Sequence, residues 1–315
     1  MKALRFHSFG TPDVLVVEEI AQPEPAAGEV LIQVHGAGIN PSDIVNVAGR
    51  FKATTLPRVP GRDFAGVVVT AGVSNGQRIW GSVPDFGVKH DGSHAGYVVL
   101  PERSLSAVPS NLSLEQAAAV GVPYTTAWGA LIRSAELRAG ETVVITGSAG
   151  AVGQAATQIA NWIGARVIGA TRGASPAPGT SAVIDTEGDM RKQVFDLTEG
   201  HGAEVMFDTI GGPLFEPALR CLRPGGRQVA ISSSKEPHVI FSLVDFYHNL
   251  SRLIGFDSYS YTLDDTVAVL NELRPGFESG ALTPPFITAV PLDRAVDAYK
   301  SVAGGHTGSK FVLTN

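Results

Sequence analysis

The stretch from Thr142 to Ile163 constrains this chain more than any other. Thr142 to Thr146 is a continuous run of β-branched residues, the pattern of a strand buried on both faces. It passes directly into Gly147-Ser148-Ala149-Gly150-Ala151-Val152-Gly153, and from there Val152, Ala156, Ile159 and Ile163 recur on one helical face. Glycines let a backbone approach a pyrophosphate closely, and the charge of that group then rests on amides left unpaired at the start of the helix. Nothing acidic lies between Glu141 and Arg166 to oppose it. Gly147, Ser148, Gly150, Ala151, Val152 and Gly153 are therefore candidate cofactor-binding residues. Ser148 stands where a strict G-x-G-x-x-G has its first glycine. Two other readings share the pattern: a tight turn that binds nothing, and a nucleophile elbow built on Ser148, in which Thr146 occupies a place that motif gives to glycine.

The flanking text extends the unit. Apolar runs at 166–170, 182–184, 204–208, 227–232 and 252–256 are mostly separated by helical or turn-rich segments, which predicts a doubly wound parallel sheet. Residues 172–181 are too rich in Gly, Pro and Ser for a crossover helix, so one connection is expected to be short and irregular. The second strand ends at Thr171-Arg172 rather than at an acid that would hold a ribose 2′-hydroxyl. Arg172 has the fork geometry for a 2′-phosphate, which points to NADPH, although a loop arginine in solvent reads the same way. Before this unit, Val30, Ile32 and Val34 alternate with more polar positions, and 67–69 and 97–100 repeat the strand signal, so an all-β first domain is expected. Ser113-Leu-Glu-Gln116 is a capping box ahead of an alanine-rich run that Pro123 is expected to interrupt. The predicted domains are 1–122, completed by 265–315, and 123–264. A helix over 264–273 and a strand over 311–313 would return the chain to the first.

With 44% hydrophobic and 17% charged residues and a net charge of −6, a chain of 315 residues has the means to bury a core and no general footprint for nucleic acid or a membrane surface. The longest uncharged stretch, Thr142 to Ala165, holds Gly147, Gly150 and Gly153 together with Gln154, Gln158 and Asn161, and reads as strand, turn and helix rather than a span. A single cysteine, Cys221, excludes an intrachain disulfide and any zinc site with two thiolates, which fits a cytoplasmic location. No signal peptide is read at the N-terminus.

Four segments in this order, Gly38-Ile-Asn-Pro-Ser-Asp43, Pro60-Gly-Arg-Asp-Phe-Ala-Gly66, the 147–153 loop and Gly308-Ser-Lys-Phe-Val-Leu313, resemble the medium-chain dehydrogenase/reductase superfamily across nearly the whole chain. Within it the sequence is similar to the zinc-independent quinone oxidoreductase branch, the zeta-crystallin-like enzymes. The resemblance implies an α/β protein with a GroES-like β-rich catalytic domain and a Rossmann domain. Zinc-dependent relatives carry Cys, His and Cys where this chain has Asn40, Arg62 and Val122, so no catalytic metal is expected. His90 and His94 have a four-residue spacing but flank Gly92-Ser93, a loop in which that spacing guarantees no shared face.

The activity so implied is hydride transfer from NADPH to a quinone or α,β-unsaturated carbonyl, acceptors that delocalise charge where no Lewis acid is present. By the same resemblance Asn40 lies beside the nicotinamide ribose and substrate, Asp43 orients its own loop, and Thr126 contacts the nicotinamide. Gly211 follows the fourth strand on the adenosine side and Ser232 follows the fifth near the nicotinamide. Tyr124 is either a proton donor or a tyrosine filling the interface between domains. Lys310 matches a family lysine, but the preferred reading is a solvated side chain. Val45 and Phe51 stand where some relatives carry tyrosines, and Phe51 has no proton to give, which puts thioester enoyl reduction in doubt. A homodimer formed through the cofactor domain is implied. Two other functions fit the same residues: a dinucleotide-binding sensor or buffer without efficient turnover, and a serine hydrolase using Ser148.

Overall fold

Every residue of the strand Thr142–Thr146 is buried, as a run of β-branched side chains with helices on both faces requires. A computed structural model, describing residues 1–72, 74–233, 236–305 and 308–315, places it third in a six-stranded parallel sheet. The order is Ala182–Asp185, Arg166–Thr171, Thr142–Thr146, Ala203–Asp208, Leu222–Ala230, Arg252–Gly255. Val144, Ile168, Ile184, Val194, Met206 and Leu222 belong to one of its core clusters, each contributing roughly 1.5–3 kcal/mol by leaving water. The connection after Arg166–Thr171 is the irregular one expected: a single 3-10 turn, Arg172–Ala174, with Gly173 at φ 61°.

The chain divides into two compact units, Thr126–Ser258 and Met1–Thr125 with Tyr259–Asn315. The changeovers lie a few residues from the expected 122/123 and 264/265. The first falls inside the helix Gly121–Trp128, because Pro123 does not interrupt it. Proline in the opening turn of a helix removes an amide that has no partner there anyway.

In the first unit Glu29–Gly38 is the central strand, with the alternating burial its sequence shows. The sheet runs Ile287–Pro291, Lys310–Thr314, Glu29–Gly38, Asp63–Val68, Arg78–Ser82, Ser106–Ala107, and Tyr97–Pro101 also pairs with Glu29–Gly38. Phe6, Val30, Ile32, Val34, Phe64 and Leu313 pack in its core. The expectation of an all-β first domain is corrected here, since Pro41–Val47 is a helix. Its signal was in the sequence: Asn40-Pro41-Ser42-Asp43 places proline first and an acid third, and the Asp43 carboxylate accepts the Asn40 amide at 2.7 Å. The 113–116 capping box forms as read, opening Leu114–Ala118. The late helix runs Leu263–Glu278, past Pro275 and beyond its expected end.

Helix Ala151–Trp162 starts on Gly150 and sits close against the glycine turn. A methyl group on Gly153 would stand 2.3 Å from the Gly147 carbonyl oxygen and 2.6 Å from Ser148 Cα. Gly153→Ala is therefore expected to lose about 1–3 kcal/mol through overpacking, read as a lowered midpoint in urea. Wild-type stability in this variant would contradict the close packing.

Candidate active site

Asn40, the residue that opens the helix Pro41–Val47, is 1% exposed and lies at the centre of a buried polar cluster. Its side-chain nitrogen donates to Asp63 Oδ2 at 2.9 Å, and its Oδ1 accepts from Lys310 Nζ. Asp63 Oδ1 accepts the Val122 amide at 2.9 Å, and Lys310 Nζ lies 3.6 Å from Asp63 Oδ2. Lys310 is 7% exposed and Asp63 fully buried. The reading of Lys310 as a solvated side chain is thus corrected. Lys310 begins the last strand, and the absence of a side chain at Gly38 leaves room for it: a Cβ there would come 3.2 Å from Lys310 Cε and 2.6 Å from the Ala118 carbonyl oxygen. Burial pushes the Lys310 ammonium below its ordinary range, with Asp63 and Asp43 opposing the shift.

Arg62, adjacent to Asp63, is also buried. Its guanidinium carbon lies 3.7 Å from the centre of the Tyr259 ring, whose edge meets Phe51 at 4.8 Å between centroids. On another side, His94 is fully buried. Its Nε2 faces the Gly38 carbonyl at 3.3 Å and must carry the proton, so its Nδ1 accepts from the Tyr299 hydroxyl at 2.8 Å. Burial holds this imidazole neutral, its pKa lowered to about 4, against the pull of the Gly38 carbonyl. His94 is a core histidine. Among the described residues no group of three His, Cys, Asp or Glu is placed to hold a metal.

In the second unit the glycine turn is as read. Gly147 takes φ 62°, and Gly150 is the N-cap with its amide on the Gly147 carbonyl at 2.9 Å. The first amides of the helix, those of Ala151, Val152 and Gly153, have no partner within it. Thr146 Oγ1 donates to Asp208 Oδ1 at 2.8 Å, and the same oxygen accepts the amides of Ile210 at 3.1 Å and Gly211 at 2.9 Å. Asp208 so fixes the turn after the fourth strand. Gly211, at φ 66°, would meet the Ser232 carbonyl oxygen at 2.2 Å if it carried a Cβ, so the structure brings Gly147, Gly211 and Ser232 to the carboxyl ends of three neighbouring strands. Ser148 is 1% exposed and its Oγ has no hydrogen-bond partner among the described residues. A buried hydroxyl with no base cannot serve as a hydrolase nucleophile.

At the far end Thr171 Oγ1 donates to the Ser175 carbonyl at 2.8 Å. Arg172 is exposed, with Glu187 at 3.7 Å. Asp185 Oδ1 accepts the amides of Gly173 at 2.8 Å and Glu187 at 3.0 Å. Asp185 and Asp208 hold the backbone of these two turns, and neither is among the residues expected from the sequence. Each is an acid closing a parallel strand just before a glycine or turn, which is the signal that was available. Asp63 was within a quoted segment but was not singled out.

Residues 26–110 match the family model described as alcohol dehydrogenase GroES-like domain, and 151–273 the one described as zinc-binding dehydrogenase. A zinc-type alcohol dehydrogenase-like protein of Schizosaccharomyces pombe is 36% identical over the whole of this chain and 97% of its own length. Human quinone oxidoreductase is 29% identical over 99% of this chain and 98% of its own length. The crystal structure of a quinone oxidoreductase of Pseudomonas syringae pv. tomato superposes with a TM-score of 0.86 at 26% identity, covering 100% of this chain and 99% of that one. The chain belongs to the medium-chain dehydrogenase/reductase superfamily, in its zinc-independent, quinone oxidoreductase-like branch. It is an oxidoreductase acting on a small molecule with a nicotinamide dinucleotide.

One matched model is named for zinc, and the donor set here does not fit that ion. The three positions are an amide already bonded to Lys310 and Asp63, a buried guanidinium and a valine. An amide, a guanidinium and an alkyl group offer a divalent metal no thiolate or neutral imidazole. Tyr124 is 1% exposed, packs on Phe277 at 5.0 Å and donates its hydroxyl to the Thr283 carbonyl at 2.5 Å. Phe277 and Thr283 belong to the same compact unit as Tyr124, so these contacts are packing within that unit. Thr126 is buried in the same helix. No helix among the described residues is long and apolar enough to cross a membrane.

Asp43 is buried and its carboxyl is pushed up to about 7, chiefly by desolvation, with the Asn40 amide opposing and Asp63 adding to the rise. A carboxyl whose folded pKa exceeds its unfolded value of 3.8 contributes stability that is full below 3.8 and lost as pH rises through 7. His94, displaced the other way from 6.5 to about 4, contributes stability above 6.5 that is lost on acidification. The two oppose each other over this window. Asp43→Asn removes only the first, so wild type should gain on the variant by a few kcal/mol (order of magnitude) between pH 7 and pH 4. Parallel urea-unfolding profiles for the two proteins would contradict the shift at Asp43.

Proposed function

We propose that this protein is a zinc-independent, NADPH-dependent reductase of quinones or α,β-unsaturated carbonyls. The observation that carries the reading is the buried Lys310–Asn40–Asp63 network with Arg62 beside it: fixed cations and an oriented amide at positions where a metal would need soft or neutral donors. Such a set stabilises a diffuse negative charge on a conjugated acceptor. It is poorly suited to the localised alkoxide of a simple ketone.

When bound, the dinucleotide supplies the hydride. The amides of Ala151, Val152 and Gly153 take its pyrophosphate, with Gly147, Ser148 and Gly150 shaping the turn and Gly211 and Ser232 lining the neighbouring strand ends. Thr171 and Arg172 are assigned to the adenosine ribose, where Arg172 must exchange its exposed contact with Glu187 for a 2′-phosphate. Thr126 is assigned to the nicotinamide. Asn40 is assigned to the nicotinamide ribose and the substrate oxygen. Its Oδ1 is held by Lys310, and one Nδ2 proton is committed to Asp63, which leaves one amide proton to aim at a developing oxyanion. A homodimer through the cofactor unit is supported by the edge strand Arg252–Gly255 and by exposed Val244, Tyr247, Leu250 and Leu253. Cys221 is buried and unpaired, in keeping with a cytoplasmic setting.

The sensor or buffer reading draws on one observation, the commitment of the Tyr124 hydroxyl to Thr283. It predicts saturable NADPH binding with no turnover. Stopped-flow oxidation of NADPH by a quinone panel and an enone panel separates the two, and failure with both panels removes the reductase. For the cofactor, wild type should bind NADPH more tightly than NADH. Arg172→Ala should lose about 10- to 100-fold in NADPH affinity with NADH unaffected. Equal affinities in wild type would overturn the 2′-phosphate assignment.

A further inference from the structure

The first unit holds two cations and two carboxylic acids in one buried cluster, and the reading so far uses Arg62 only as a fixed charge. What Arg62 touches is an aromatic ring. Its guanidinium carbon sits 3.7 Å from the centroid of Tyr259, and the edge of that ring meets Phe51 at 4.8 Å and 61°. Tyr259 lies in the single 3-10 turn Ser258–Ser260 that brings the chain back into this unit. It differs from the two other tyrosines discussed. Tyr124 is 1% exposed and Tyr299 is fully buried. Tyr259 is only half-buried, so it can meet a small molecule from solvent.

We propose that Tyr259, with Arg62 over its ring and Phe51 in contact with it, is the proton donor of the reduction. This inference rests on the reductase reading above. With hydride that a bound reduced nicotinamide would supply to the electrophilic carbon of the conjugated acceptor, the acceptor's π electrons would move onto its carbonyl oxygen. The Tyr259 O–H bond breaks, an O–H bond to that oxygen forms, and the phenolate left behind takes a proton from water. The product tautomerises in both cases, from the keto form to the hydroquinone for a quinone and from the enol to the saturated ketone for an enone. The guanidinium above the ring stabilises the transient phenolate electrostatically, as a desolvated cation close to a developing charge does. Burial sets the net direction of the phenol's pKa upward; Asp43 adds to the rise, while Arg62, by its charge and a hydrogen bond, and Ser42, by a hydrogen bond, oppose it. Tyr299 also couples to it. A phenol so held is protonated at neutral pH and ready to donate.

The experiment compares wild type, Tyr259→Phe and Arg62→Met in pre-steady-state NADPH oxidation by an accepted quinone, alongside ultraviolet titration of the phenolate at alkaline pH without cofactor or substrate. Tyr259→Phe should bind NADPH as wild type does, lose 10²- to 10³-fold in the rate of reduction, and lose the alkaline limb of the pH profile together with the solvent isotope effect. The difference titration should assign one phenolate to Tyr259, shifted to higher pH in Arg62→Met. Should Arg62→Met fail to fold, Arg62→Lys, which keeps the charge but not the planar stacking, serves for the titration. Turnover by wild type with unchanged rate and pH profile in Tyr259→Phe overturns the assignment and leaves the reductase standing. Absence of turnover in wild type, with NADPH bound, overturns the reductase and the proton donor together.

Discussion

A lysine ammonium and an aspartate carboxylate share a site buried from solvent, and one asparagine amide faces both. Removing either charge from water costs several kcal/mol, and the cost is offset only when the remaining lone pairs and protons are satisfied. Here the partners come from distant parts of the chain: Lys310 from the last strand, Asn40 from the cap of an early helix, Asp63 from a central strand, and the Val122 amide from the helix that leads out of the unit. The network therefore closes the β-rich unit across 270 residues of sequence. Gly38 is a condition of this closure, since a side chain there would collide with both Lys310 and Ala118.

The same arrangement bears on the chemistry. A zinc ion would polarise a carbonyl through one strong, local charge. Asn40, Lys310 and Arg62 offer a more diffuse field, with directionality supplied by the amide. The cofactor unit follows a parallel logic. Asp208 gathers a hydroxyl and two amides onto one oxygen, and in doing so sets the turn against which Gly147 packs. In both units a buried acid is used to shape backbone, leaving the surfaces that meet the ligand to amides and glycines.

How much of this the sequence disclosed depended on whether the partners were local. The glycine turn, its strand and its helix were legible because all three lie within 142–163 and their periodicity is self-contained. The irregular 172–181 connection was legible for the same reason. The helix Pro41–Val47 had a local cap signal but was overlooked amid strands, and Pro123 was misread as a break because its position in the first turn of a helix was not fixed by pattern. Lys310 misled for a physical reason. A lysine at the start of a strand reads as solvated until the partners that neutralise it are known, and neither is near it in the chain. Arg62 and Tyr259 met only through folding, so no spacing could have joined them.

The account turns on whether Lys310 and Asp63 act as one buried unit. A double-mutant cycle with Lys310→Met, Asp63→Asn and the pair, read by urea unfolding at neutral pH, tests this most directly. Each single change should cost about 3–5 kcal/mol by leaving a charge or its partner stranded. The double variant should recover part of that, giving a coupling energy above about 1.5 kcal/mol. Losses that simply add, within roughly 0.5 kcal/mol, would show two independent residues and contradict the network on which the proposed site is built.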